Sequence, residues 1–134
     1  MNNLEKYSPY VLALLRITAA YMFILHGTAK FWEFPISMTG GNGPVGDSMV
    51  IVGGGIEIVG SILLILGLFT RPAVFILSGQ MAFAYFFMHV AGKGNLLFPI
   101  ANGGELALLY SVIFLYFVFS GAGALSLDSR LYRK

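Results

Sequence analysis

The chain has no cysteine, a single tryptophan, and charged side chains at only 10% of its 134 positions. Each scarcity excludes something. Without a thiol there is no disulfide exchange, no cysteine-held iron–sulfur cluster and no thiolate metal site on this chain. The net charge of +2 is small and scattered, so the dense basic face that nucleic acid requires is missing. No nucleotide-binding motif occurs, so hydride or electron chemistry would depend on a partner or a bound group. A cleavable signal peptide is not expected, because the first apolar run is long, contains Arg16 and lacks a small-residue cleavage site. What the chain has in abundance is apolar surface. Hydrophobic residues make up 57% and mean hydropathy is +0.82, a balance that marks an integral membrane protein in contact with the lipid bilayer.

Four apolar segments stand out, at residues 9–32, 49–69, 72–91 and 103–121. Each has about the 20 residues that cross a hydrocarbon core of about 30 Å. The expected fold is therefore all-α: one transmembrane domain over residues 1–134, built as an antiparallel four-helix bundle. Segments two and three are joined only by Thr70-Arg71-Pro72, a tight hairpin. The first loop, 33–48, is longer and rich in Gly and Pro, and the third, 92–102, carries the apolar run Leu96-Leu97-Phe98, which is expected at the interface. Lys6, Arg71, Arg130, Arg133 and Lys134 gather on one side, against Lys30 and Lys93 on the other. The positive-inside rule then puts both termini in the cytoplasm.

The polar residues inside these segments carry the functional question. Glu57 lies mid-segment, where a charge costs roughly 2.5–3.5 kcal/mol. Gly53, Glu57, Gly60, Leu64 and Gly67 share one helical face, so a neighbouring backbone can come close. Glu57 is either half of a register-fixing ion pair or a working carboxylate. Arg16, His26 and Lys30 fall in one arc of the first helix. Lys30 is expected to snorkel to the interface. Arg16 is deeper and needs an acceptor, either Glu57 or exposed helix-end carbonyls. His26, Glu57, His89 and Glu105 sit in the outer half, one per helix. Two His and two Glu are donors that a transition metal accepts, although no Glu-x-x-His spacing is present. Paired histidines could also ligate haem, but His89 is close to its helix end. Gln80, nine residues from His89, would point to the opposite face of an ideal helix and suits an interhelical hydrogen bond. The aromatic run around Phe83, Tyr85, Phe86 and Phe87 is lipid-facing or core filler, or else a cleft for a quinone ring. Asn102 reads as an N-cap with Glu105 completing a capping box, an explanation that needs no function.

Taken in order, several stretches resemble the DoxX family of small four-helix bacterial membrane proteins. They are Leu15-Arg16-Ile17, His26-Gly27 with Lys30, Gly55-Ile56-Glu57 with Gly60, and Leu66-Gly67-Leu68-Phe69-Thr70-Arg71-Pro72-Ala73. Asn102-Gly103-Gly104-Glu105 with Tyr110 and the closing Gly121-Ala122-Gly123-Ala124-Leu125-Ser126-Leu127-Asp128 complete the set. The resemblance implies a bacterial inner-membrane location. The family takes its name from a subunit associated with a thiosulfate:quinone oxidoreductase, and relatives are described as partners of redox and detoxification proteins. It also directs attention to Arg16, His26, Glu57 and Glu105. On this reading the protein is a redox-associated subunit that binds a quinone, with Glu57 and His26 exchanging a proton with the quinol. Arg16, Glu105, Gln80 and Asn102 are the expected substrate contacts, and a redox protein or a second copy of the chain the expected partner. Two other readings stand beside it: a non-enzymatic binding or assembly partner, and a proton-linked exporter of aromatic compounds, for which four spans would call for a dimer.

Overall fold

The computed structural model describes residues 3–41, 43 and 46–132. Arg133 and Lys134, which contribute to the charge asymmetry, lie outside them, as does part of the first loop. The described residues contain helices and no strand. Three helices are long and apolar enough to cross a membrane, within Glu5–Trp32, Ser48–Leu66 and Thr70–Lys93, and a shorter apolar helix follows at Glu105–Ser120. The fourth is shorter than the sequence suggests. Its 16 residues rise about 24 Å, because Asn102, Gly103 and Gly104 form a turn ahead of it.

The chain forms two compact units, one of Met1–Thr70 with Ala122–Lys134 and one of Arg71–Gly121. In the first, α1 (Ser8–Trp32) packs on α2 (Ser48–Leu66). Pro9 sits in the first turn of α1, where its missing N–H costs nothing. Asp47 starts α2 by accepting from the N–H groups of Met49 and Val50. At the other end Gly67 turns left-handed at φ 63°, and the N–H groups of Gly67 and Leu68 close on the carbonyls of Leu64 and Leu63. The C-terminal segment returns to this turn. Ser126 caps a short helix at Leu127–Leu131, and Asp128 donates its own N–H to Gly67 O at 2.9 Å. The Asp128 carboxylate accepts from the N–H groups of Phe69 and Thr70, at 2.9 and 3.0 Å.

In the second unit, α3 (Thr70–Lys93) faces α4 (Glu105–Ser120). Val74, Leu77, Met81 and Tyr85 are buried on α3, and Ala107, Tyr110, Phe114 and Phe117 on α4, each set at helical spacing. Ser78 Oγ donates to Ser111 O across the pair, at 2.8 Å. The α3 helix widens to a π-helix over Ala84–Val90, so the ideal-helix angle that separates Gln80 from His89 does not hold there. Arg71 donates to the carbonyls of Val118 and Phe119, at 2.6 and 2.9 Å. It therefore covers the negative end of α4.

A β-carbon on Gly67 would lie 2.4 Å from Ser126 Cβ and 3.1 Å from Arg16 Cζ. Gly67→Ala is expected to destabilise by about 2 kcal/mol or more, combining the left-handed backbone with that clash. A β-carbon on Gly79, in mid-α3, meets nothing within 4 Å. Gly79→Ala is expected to be neutral or stabilising by up to about 1 kcal/mol. Thermal unfolding of both variants in mild detergent checks the contrast.

Candidate functional site

The contact between α1 and α2 rests on two glycines. A β-carbon on Gly27 would fall 2.6 Å from Ile58 Cγ1 and 3.0 Å from Gly54 O, and one on Gly54 would fall 2.7 Å from the Phe31 ring. With the backbones this close, the residues three positions further along each helix meet. Lys30 Nζ lies 2.5 Å from Glu57 Oε1. Glu57 is 2% exposed and Lys30 21%, so the carboxylate is enclosed while the ammonium keeps a path outward. Lys30 thus does not simply snorkel: the buried carboxylate draws its charged end. Breaking such a pair from one side costs much more than removing both halves, because an uncompensated charge is left inside.

His26 precedes Lys30 by one turn on the same face, stacks loosely on Phe23 with ring centroids 6.2 Å apart, and is half-buried. It lines an open groove of about 280 Å³ with Met22, Leu25, Ala29, Pro35, Ile36 and Met38. Among the described residues, His26 is the one polar side chain in that lining. The loop after α1 supplies the far wall, and Glu33 ties that loop down. Its carboxylate accepts from Thr39 Oγ1, from Gly41 N at 2.6 Å and from Ser37 Oγ at 3.0 Å. These donors, Thr39 foremost, hold the carboxyl below the ordinary glutamate value of 4.5. The sequence signal for this tie was the hydroxyls four and six residues after Glu33, inside a loop read only for its Gly and Pro content.

Arg16 belongs to a different place. Its guanidinium is fully buried and donates to the carbonyls of Ala122, Ala124 (3.3 Å) and Leu125 (2.9 Å). Its acceptors are therefore backbone carbonyls, and Glu57 pairs with Lys30. This arrangement makes Arg16 a clamp on the C-terminal segment.

The remaining sequence candidates lie in the second unit. Asn102 is fully buried, but it is not the cap of α4; Gly104 holds that position and no side chain caps it. The Asn102 amide is spent inside the turn. Oδ1 accepts from Gly104 N at 2.7 Å, and Nδ2 donates to Asn95 O at 3.2 Å and Tyr85 Oη at 3.4 Å. The capping box with Glu105 does not form, because helix starts at Glu105 itself and its side chain is exposed. His89 Nδ1 lies 3.3 Å from Asn102 O. Tyr85, which sequence reasoning passed over as core filler, donates to Leu96 O at 2.7 Å and so pins the loop onto α3. Gln80 is half-buried on α3. Among the described residues no group of three or more His, Asp or Glu side chains comes together to hold a metal ion. Of the four candidates, His26 and Glu57 belong to one unit and His89 and Glu105 to the other.

Two outcomes follow from this geometry. In a double-mutant cycle on thermal unfolding in detergent, Lys30→Met and Glu57→Gln are each expected to destabilise, and the double variant to recover part of the loss. A coupling of about 1–3 kcal/mol is expected. For Glu33, a folded carboxyl below its ordinary value means that the tie is intact above about pH 4.5 and is lost as pH falls through the lowered value. Protection of the Gly41 amide from hydrogen exchange should therefore hold at neutral pH and drop in acid. In Glu33→Gln it should be low at every pH.

Comparison with known proteins gives a relative and a family. An uncharacterized protein of Haemophilus influenzae (strain ATCC 51907 / DSM 11121 / KW20 / Rd) is 79% identical over 134 residues, covering the whole of both chains. No solved structure matches. The DoxX family model matches residues 11–90. That stretch holds Arg16, His26, Lys30, Glu57 and the Gly67 turn, and it spans more than half of the chain, which therefore belongs to the DoxX family.

Proposed function

We propose that this DoxX-family membrane protein binds a quinone in the groove beside His26 and serves a membrane oxidoreductase system as its quinone-interacting subunit. The observation that carries the reading is the make-up of that groove. One imidazole stands among aliphatic and thioether side chains, one turn from a buried Lys30–Glu57 pair. A quinone ring is apolar and flat, with carbonyl oxygens that accept hydrogen bonds, and sites for such ligands combine apolar walls with few polar groups. His26 would hold one ring oxygen. Glu57, kept in place by Lys30, would take one of the two protons released when a quinol is oxidised, and the other would leave through His26 to the open groove. The two electrons of that oxidation would pass to a redox partner protein. Family membership supports a membrane setting for this chemistry.

The topology that goes with this reading is a single domain over residues 1–134 with Glu105–Ser120 as a fourth crossing in an antiparallel four-helix bundle. Both termini would lie in the cytoplasm, in the inner membrane of a bacterium. Lys6, Arg71 and Arg130 on one side support that orientation. The exposed Leu97, Phe98 and Ile100 would then lie in the interface.

The test is a titration of the purified protein in mild detergent with a short-chain ubiquinone or menaquinone analogue. Binding is expected, and His26→Leu should weaken it about tenfold, the equivalent of one hydrogen bond in an apolar site. Glu57→Gln should retain binding and lose turnover with the redox partner. Unchanged affinity in His26→Leu would overturn the assignment. Co-purification of a stoichiometric protein without quinone would instead point to a binding or assembly subunit.

A further inference from the structure

The second unit carries an unused set of charges beside an apolar groove, and it is independent of the quinone reading. Lys93, at the end of α3, is exposed and makes no hydrogen bond or ion pair among the described residues. His89, one turn earlier, turns Nδ1 to Asn102 O and keeps its other ring nitrogen open. Lys93 Nζ and His89 Nδ1 lie 3.6 and 3.9 Å from where a β-carbon of Gly103 would stand, so both reach the turn that leads into α4. Two residues on, Glu105 is exposed in the first turn of α4, likewise with no ion pair. Beside Glu105 runs an open groove of about 590 Å³. Glu105 is at its rim, and Leu97, Phe98, Pro99, Leu108, Leu109 and Val112 form its walls.

We propose that this is a binding site for a phospholipid with a primary amine in its headgroup, of the phosphatidylethanolamine class. The phosphate would take Lys93, the ammonium would take Glu105, and an acyl chain would lie along Leu108, Leu109 and Val112. Charge complementarity selects this occupant. A cation alone suits any anionic lipid, but a carboxylate two residues past the turn that Lys93 reaches opposes a headgroup of net negative charge. A zwitterion satisfies both signs at once. A choline headgroup offers charge but no N–H donor, so it cannot hydrogen-bond the carboxylate. The site is also preorganised. The hydrogen bonds from Tyr85 to Leu96 and from Asn102 to Asn95 hold the groove wall on α3 without lipid, which reduces the ordering cost of binding. That separates it from a fluid ring of bulk lipid.

Native mass spectrometry of the delipidated full-length protein tests the proposal. It would be titrated with phosphatidylethanolamine, phosphatidylglycerol and phosphatidylcholine bearing identical dioleoyl chains. Phosphatidylethanolamine should be retained at least fivefold better than phosphatidylcholine. Lys93→Gln should weaken retention of all three, whereas Glu105→Gln should shift preference at least fivefold toward phosphatidylglycerol. Equal retention of the three lipids overturns the proposal, as does a preference for phosphatidylglycerol in the unmutated protein. Lys93→Gln and Glu105→Gln binding profiles that match the unmutated one overturn it as well. Both substitutions are at exposed positions, so a folded variant is expected in each case.

Discussion

Glu57 can stand inside α2 because Lys30 reaches it, and Lys30 reaches it because two glycines let the helices touch. In an apolar medium a lone carboxylate has nowhere to send its charge. Wider helix spacing would leave Lys30 to seek the interface and Glu57 to be neutralised. The Gly27–Gly54 contact and the ion pair are therefore one device, in which close approach supplies the partner and the partner makes the buried charge tolerable. His26 and its groove sit next to this device, on the face that it fixes.

Other charges serve the backbone. A helix end in a poorly hydrated setting leaves carbonyls and amides that water would otherwise satisfy. Arg71 covers the last carbonyls of α4, Asp128 takes the amides of Phe69 and Thr70, and Arg16 gathers three carbonyls of the C-terminal segment. Few charges are present, and several of them are spent in this way. The second unit does the same with amides, since Asn102 closes its own turn and Tyr85 pins the loop.

Much of this was legible from residue order. The long apolar runs located all four helices, because hydrophobic length and composition decide whether a helix forms in such a chain. The stripe around Glu57 was read through Gly53, whereas the glycine that meets α1 is its neighbour Gly54, and Arg16's need for an acceptor was clear from its depth. Carbonyls were one of its two expected acceptors, but which ones was not legible, because they lie 106 or more residues away in sequence. Asn102 was misplaced as a cap: a local Asn-x-x-Glu pattern cannot show that Gly104 and the loop at Asn95 will claim the amide first. The π-helical stretch in α3 altered the faces of Tyr85 and His89, and no periodicity argument built on 100° per residue could have supplied it.

The first unit is made of two pieces of chain separated by the whole of the second. Arg16 and the carbonyls that hold it at Ala122, Ala124 and Leu125 stand 106 or more residues apart in sequence. Until that later segment returns, the guanidinium lacks these acceptors, and the turn at Gly67 lacks the chain that closes over it. The α1–α2 hairpin can therefore pair through contacts nearer in sequence, while its locking waits on a long-range one, with the returning segment acting as the latch.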